Sequence, residues 1–168
     1  IQDALIVTND LTVAGNTTLD AGSNQAISVA SNWSNSGTFT PASGTVTFNG
    51  SGAQTISGTN TFYDLTINNS HSSSKVSANG SSLTVQDDLL ISDGIFESAS
   101  DYVDVTISGG ATLELTGNVT VSGDWSNSGT FTPNTNTVTF DGGGPQSITS
   151  GGSSFYDLTT ATASTNVT

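Results

Sequence analysis

Cysteine is absent from this 168-residue chain, and so are methionine and arginine. Lysine and histidine occur once each, as Lys75 and His71. Each absence excludes something. Without cysteine there is no disulfide framework, and a single imidazole cannot supply a zinc ligand set. Without arginine, and with one lysine against 14 acids (net charge −13), the chain cannot neutralise a run of phosphates, which excludes nucleic acid as a partner. The same balance opposes adsorption to anionic membranes. No apolar run approaches the roughly 20 residues of a spanning helix, so membrane insertion is not expected. A signal peptide is lacking and position 1 is Ile, so the expectation is a mature chain, or one cut from something longer. A cysteine-free, acidic composition fits a secreted or cell-surface protein without excluding the cytosol.

Helix signals are scarce too. Leu, Ala, Glu and Lys are few, while Ser, Thr, Asn, Gly and β-branched residues, all weaker helix formers, dominate. Charged residues make up 9% of the chain, against roughly 25% in ordinary domains. Hydrophobics reach only 33%. Such a composition raises disorder as a reading. What opposes it is pattern: Val, Ile, Leu and Phe alternate with polar residues in short triplets bounded by Gly, Asn, Asp or Ser, the signature of strands.

The most informative feature present is a repeat. WSNSGTFTP begins at Trp33 and again at Trp125, an offset of 92 residues. The match continues through TVTF, a Gln-x-Ile step at Gln54 and Gln146, and FYDLT, where the offset becomes 93. Taken broadly, residues 11–67 repeat as 105–160. Repeats of this kind stack on their neighbours and predict a one-dimensional architecture.

Apolar-x-apolar triplets begin at positions 5, 27, 46, 65, 83, 105, 119, 138 and 158, with companions at 11 and 89. The steps run from 14 to 22 residues, too long for two-residue hairpins and suited to coils of two or three short strands. The expectation is an all-β fold without helices: one parallel β-helix, or β-solenoid, of about nine coils of roughly 19 residues over residues 1–168. At about 4.8 Å per strand, it would form a rod roughly 43 Å long. The second half is expected to carry an additional coil over Val105 to Val121. Alternation points Trp33, Phe39, Phe48, Phe62, Trp125, Phe131, Phe140 and Phe155 into the core, each Trp before a SNSG corner. Inward aromatics leave sugar stacking by Trp33 and Trp125 as the weaker reading.

The two ends complement each other in this count. From Leu158 through the last residue to Leu5 the step would be 15, inside the observed range. Neither end offers a helical or charged cap against edge pairing. The chain thus reads as a subunit with open ends or one period of a longer array. Axial contacts are expected in segments 1–13 and 155–168, through Leu5, Val7, Leu11, Val13, Phe155 and Leu158.

WSNSGTFTP, TVTFNGSGAQTISG, TFYDLTINNS and LTVAGNTTLDAG resemble the repeats of large secreted, adhesin-like surface proteins of prokaryotes, built as parallel β-solenoids. The resemblance covers nearly the whole chain. It implies an extracellular stalk, adhesin or filament and carries no catalytic residues.

Enzymatic readings find little to stand on. Parallel β-helices house polysaccharide lyases and hydrolases, but a lyase base is usually Arg or Lys, and anionic sugars need cationic contacts. Hydrolysis needs paired carboxylates at a cleft; Asp87/Asp88 and Asp101/Asp104 read better as solvated corners, as Asp10 does before Leu11. His71 lies in a polar loop with no nucleophile elbow. No enzyme activity and no cofactor are expected. Calcium is the one metal whose donors are present, at Glu97, Asp101 and Asp104 with Asp141 further on, although no EF-hand or glycine-aspartate nonapeptide spacing surrounds them. Asn-x-Ser/Thr triplets at Asn16, Asn32, Asn49, Asn68, Asn79, Asn118 and Asn166 arise by chance in so Ser/Thr-rich a chain. Thr-x-Thr triplets raise ice binding, which needs such a triplet on one face in nearly every coil; here they cluster at two places 92 residues apart.

The function expected is an extracellular structural protein, stacking end to end with itself into a filament, fibre or stalk. The alternative is a surface adhesin or binding module recognising glycans or a host surface.

Overall fold

The computed structural model describes residues 1–161 and 165–167, the last three through their backbone. Among these there is no helix; the chain is a parallel β-solenoid of about eight turns with three faces. The first coil holds β1 (Leu5–Val7), β2 (Leu11–Val13) and β3 (Thr18–Asp20). The second holds β4 (Ile27–Val29), β5 (Trp33–Asn35) and β6 (Thr38–Thr40). The third holds β7 (Thr45–Phe48) and the long, bent β8 (Gln54–Phe62). Then come β9 (Asp64–Asn68), β10 (Lys75–Ser77) and β11 (Ser82–Val85), followed by β12 (Asp88–Asp93) and β13 (Ile95–Ser98). The sixth coil is β14 (Asp104–Ile107), β15 (Thr112–Leu115) and β16 (Val119–Val121). The seventh is β17 (Trp125–Asn127), β18 (Thr130–Thr132) and β19 (Thr137–Phe140). The stack closes with β20 (Gln146–Thr149), β21 (Asp157–Thr160) and β22 (Thr165–Val167).

The first face is a nine-stranded parallel sheet running from β1 to β22, one strand per coil. Nine strands make eight steps, a rod of about 38 Å. The second face runs from β2 to β18. The third is built in pieces, β3 on β6, β11 on the second half of β8, and β16–β19–β21, linked by bridges at Thr84–Asp101 and Tyr102–Val121. Residues of alternate parity point inward and stack on their equivalents. Ile27, Val46, Leu65, Leu89, Val105, Trp125 and Ile148 form one such column on the first face, all buried. Each contributes about 1.5–3 kcal/mol by burial.

The two copies of the sequence repeat do not lie on the same face. Trp33 stands on the second face, between Leu11 and Ile56; Trp125 stands on the first, between Val105 and Ile148. Val46 is on the first face and Val138 on the third. The 92-residue offset is therefore four coils and two faces, and the second copy is turned back by one face about the rod axis.

That turn corrects the expected coil count. The triplets at 83, 119, 138 and 158 belong to the third face, while those at 5, 27, 46, 65 and 105 belong to the first. The fifth coil's first-face strand is the "companion" Leu89–Ile91, and Leu11–Val13 is the second-face strand of its own coil. Val119–Val121 shares a coil with Val105–Ile107, so the second half holds no additional coil. Leu158 and Leu5 likewise lie on different faces, and the 15-residue closure between them does not join equivalent strands. A step near 19 residues recurs whichever face is followed, so spacing alone could not separate them.

Corners are built alike in both copies. Gly58 bends β8 between the second and third faces at φ +91°, and a Cβ there would lie 1.8 Å from the Asn35 carbonyl oxygen. Gly151, at φ +60°, sits in the same way over the Asn127 carbonyl, with a Cβ at 2.1 Å. No side chain fits either position. After Pro41 and Pro133 the chain turns through Ala42 and Asn134, both at positive φ.

Candidate functional site

The sequence offers few titratable side chains, and the fold gives most of them structural partners. Carboxylates and amides at strand starts accept the backbone N–H offered by the next coil. Asp10 Oδ1 accepts from Asn32 N at 3.0 Å and from the Ser31 hydroxyl at 2.6 Å; Asn32 Oδ1 accepts from Thr55 N at 2.9 Å. In the second copy Asp104 receives Asp124 N and Asp124 receives Ser147 N at 2.8 Å. Asp101 does the same for Thr120 N at 3.0 Å. These bonds hold Asp10 below the usual carboxylate range, the Ser31 hydroxyl contributing most and the Asn32 amide next.

The three calcium candidates, Glu97, Asp101 and Asp104, are not brought together. Glu97 faces outward on β13 of the second face, held by Ser77 Oγ at 2.7 Å and Lys75 Nζ at 3.1 Å. Asp101 lies at the third face and Asp104 starts the first. Lys75 also pairs with Glu114 at 2.9 Å, so the one lysine joins three successive coils. What the fold does assemble is Asp87, Asp88 and Asp104, whose carboxylate oxygens lie within 4.8 Å of one another. Asp64, Asp88, Asp104 and Asp124 occupy successive coils at this corner. Burial pushes the Asp88 carboxyl up, and the charges of Asp87, Asp64 and Asp104 add to it. Tyr63 is raised as well, chiefly through its hydrogen bond to Asp87. Sequence reasoning missed this group because Asp104 reaches it only through the one-face turn of the second copy. Asp141 lines a separate shallow cavity of about 390 Å³ with Asp101, Thr84 and Thr120.

His71 Nδ1 accepts the backbone N–H groups of Ser73 (3.2 Å) and Ser74 (3.0 Å), closing its own loop. Trp33 and Trp125 are fully inside, beyond reach of a sugar ring. Trp33 packs edge-on against Phe39 and Phe62 at 4.9 and 5.3 Å; Trp125 meets Phe131 and Phe155 at 4.7 and 5.5 Å. Phe48 and Phe140 complete the two clusters at 6.4 Å from their Trp. Phe155 is only half-buried.

Among the described residues, no strand pairs with the outer edge of the first coil. β1, β2 and β3 each pair on one side only. Leu5, Val7, Leu11, Val13 and Leu19 line a cavity of about 370 Å³ there. Leu11 N donates to Asn32 O and Leu5 N to Ala26 O, so the N–H groups of Thr12 and Ile6 point the other way. At the far end Leu158 remains 38% exposed on β21. Residues 162–164 and 168 of the expected axial segment, and the side chain of Asn166, lie outside what is described. No protein-family model matches the chain, and neither a curated protein nor a solved structure is detectably similar to it.

Proposed function

We propose that this chain is an extracellular structural protein, a β-solenoid unit that stacks head to tail with copies of itself into a filament, fibre or stalk. The observation that carries the reading is the first coil, whose three strands pair on one side only among the described residues and surround an apolar mouth. Pairing there adds backbone hydrogen bonds and buries Leu5, Val7 and Leu19, the mechanism of β-augmentation. Because every sheet is parallel, only the opposite end of a second copy continues the strand direction. Acidic corners repel sideways contact and leave the axis as the favoured direction of growth. A cysteine-free, acidic composition fits the extracellular assignment, and no cofactor or enzymatic step enters it.

Surface recognition of glycans is the alternative, but both tryptophans are buried and Tyr156 is the one large aromatic ring exposed among the described residues. Electron microscopy of the purified chain tests the proposal: rods many times longer than about 38 Å are expected. Particles of a single unit length at every concentration would overturn it. Ile6→Pro with Thr12→Pro removes two outward edge donors while sparing the bonds to the second coil; rods should shorten to single units.

A further inference from the structure

The outer surface of the third face differs from the other two. Its centre carries one column of side chains, Thr61, Thr84, Asp101, Thr120, Thr139 and Thr159. Beside it, Thr59 lies against Ser82 and Thr137 against Asp157. Towards the first coil, Thr18 stacks on Thr38 and Asp20 on Thr40. The one-face turn of the repeat creates this array. It brings Thr38/Thr40 of the first copy and Thr137/Thr139 of the second onto the same face, whereas Thr45/Thr47 lie on the first face and Thr130/Thr132 on the second.

The hydroxyls of this column are also free. The first face has an outward column as well, Ser28, Thr47, Thr66, Thr106 and Ser126, but it is broken by Leu90 and flanked by Asp64, Asp88, Asp104 and Asp124. Neighbouring hydroxyls on the first and second faces are taken up: Thr45 by Asp64, Thr55 by Asn32, Ser57 by the Trp33 carbonyl and Ser77 by Glu97. Among the described residues, the hydroxyls of Thr61, Thr84, Thr120, Thr139 and Thr159 donate to no protein acceptor. The backbone spaces them at about 4.8 Å along the axis and about 6.8 Å along a strand. Threonine is stiff at χ1, so ordering the array costs little entropy on binding.

We propose that the third face binds an ice surface through these columns of unpartnered threonine hydroxyls and methyls. Charge selects the partner. The acidic cluster lies at the start of the first face, whereas this array is interrupted by Asp20, Asp101 and Asp157 and by the shallow cavity that Thr84, Asp101 and Thr120 line with Asp141. Such a face complements a neutral, extended lattice of donors and acceptors. A polysaccharide would need several platforms for the apolar faces of its rings. Among the described residues both Trp rings and every Phe ring but the half-buried Phe155 lie inside, leaving Tyr156 as a single exposed ring.

The test is the gap between the melting and freezing points of a single ice crystal in a solution of the purified chain. A measurable gap with faceted crystals is expected. Thr84→Lys with Thr120→Lys should abolish it, while Thr106→Lys on the first face should not; thermal melting checks that each variant is folded. Asp101→Asn keeps the acceptor for Thr120 N–H, removes the charge and should widen the gap. No gap for the unmodified chain, or equal loss in the Thr106 control, overturns the proposal. So does depletion of the chain by cellulose or chitin powder that the double variant escapes, because it gives the face to a polysaccharide.

Discussion

The two copies of the repeat build the same object on different faces. Around Trp33 and around Trp125, four aromatic rings meet at matching distances, from 4.9 to 6.4 Å in the first and 4.7 to 6.4 Å in the second. Both clusters are entered through a buried glutamine. Gln54 Nε2 donates to the Val29 and Ser31 carbonyls; Gln146 Nε2 donates to those of Val121 and Gly123. The copies differ in what surrounds them. The Trp33 indole N–H reaches Asn60 Oδ1 at 2.7 Å, whereas Trp125 Nε1 is buried without a partner. Ser153 stands where the first copy has Asn60, and its hydroxyl accepts from Asn127 Nδ2 and Phe131 N instead. Phe62 is covered completely by the next coil; Phe155 is not. Local sequence thus determines the cluster, the face is interchangeable, and completeness depends on the neighbouring coil.

The largest expected effect tests this directly. Trp33→Ala should cost about 3–5 kcal/mol, the usual loss for a buried tryptophan. Trp125→Ala should cost about 1 kcal/mol less, since no indole hydrogen bond is lost. Denaturant midpoints of the two variants measure the difference, and equal losses would break the comparison. Next come the corner glycines. Gly58→Ala and Gly151→Ala each force a Cβ onto a carbonyl oxygen at positive φ, for about 2–3 kcal/mol apiece. Gly58 should suffer more, because its Cβ would be closer and its segment is a hydrogen-bonded strand. Gln54→Leu and Gln146→Leu each strand one carbonyl, that of Ser31 or Gly123, and one backbone N–H, that of Gly50 or Gly142, for about 1–3 kcal/mol. The Val29 and Val121 carbonyls keep the N–H of Asn49 and Asp141. The first is expected to be worse, as Asn69 Nδ2 also loses Gln54 Oε1.

Much of this was legible in the residues themselves. Alternation in WSNSGTFTP and TVTF pointed to strands with one face inside, and the long steps between triplets excluded a hairpin meander. The turn of the second copy was not legible, because an offset of 92 residues says nothing about how many corners lie in between. Trp33 lies six residues after Ile27, yet nothing in that spacing tells whether a corner intervenes. The acidic group was hidden for the same reason: Asp104 matches Asp10 of the first copy, and only the turn sets it beside Asp87 and Asp88. The hydroxyl columns of the third face were obscured likewise.

Smaller effects separate the same two corners by their titration. Replacing Ser153 by Asn should supply Trp125 with the acceptor its counterpart has and raise the melting temperature, by about 1 kcal/mol of stability. No gain would mean that the extra residue of the 93-residue offset has moved the backbone out of reach. At the strand starts the signs are opposite. Asp10 titrates below its ordinary value because the folded state donates hydrogen bonds to its carboxylate. Its stabilisation is present above the unfolded pKa and is lost as pH falls through the folded one, so Asp10→Asn should destabilise at neutral pH, by an amount that shrinks as the solution is acidified. Asp88 titrates above its ordinary value, from burial first and then from Asp87, Asp64 and Asp104. The folded state favours its protonated form, and that advantage is complete below the unfolded pKa and lost as pH rises through the folded one. Asp88→Asn should therefore stabilise the chain at pH 7, by less than about 1 kcal/mol given its exposure, with the gain vanishing in acid. Thermal melts of both variants between pH 2 and 8 check the pair. The same melts with calcium added resolve what the carboxylates are for. If the cluster only repels itself, calcium leaves the Asp88→Asn gain intact; a gain reversed by calcium would make Asp87, Asp88 and Asp104 a cation site.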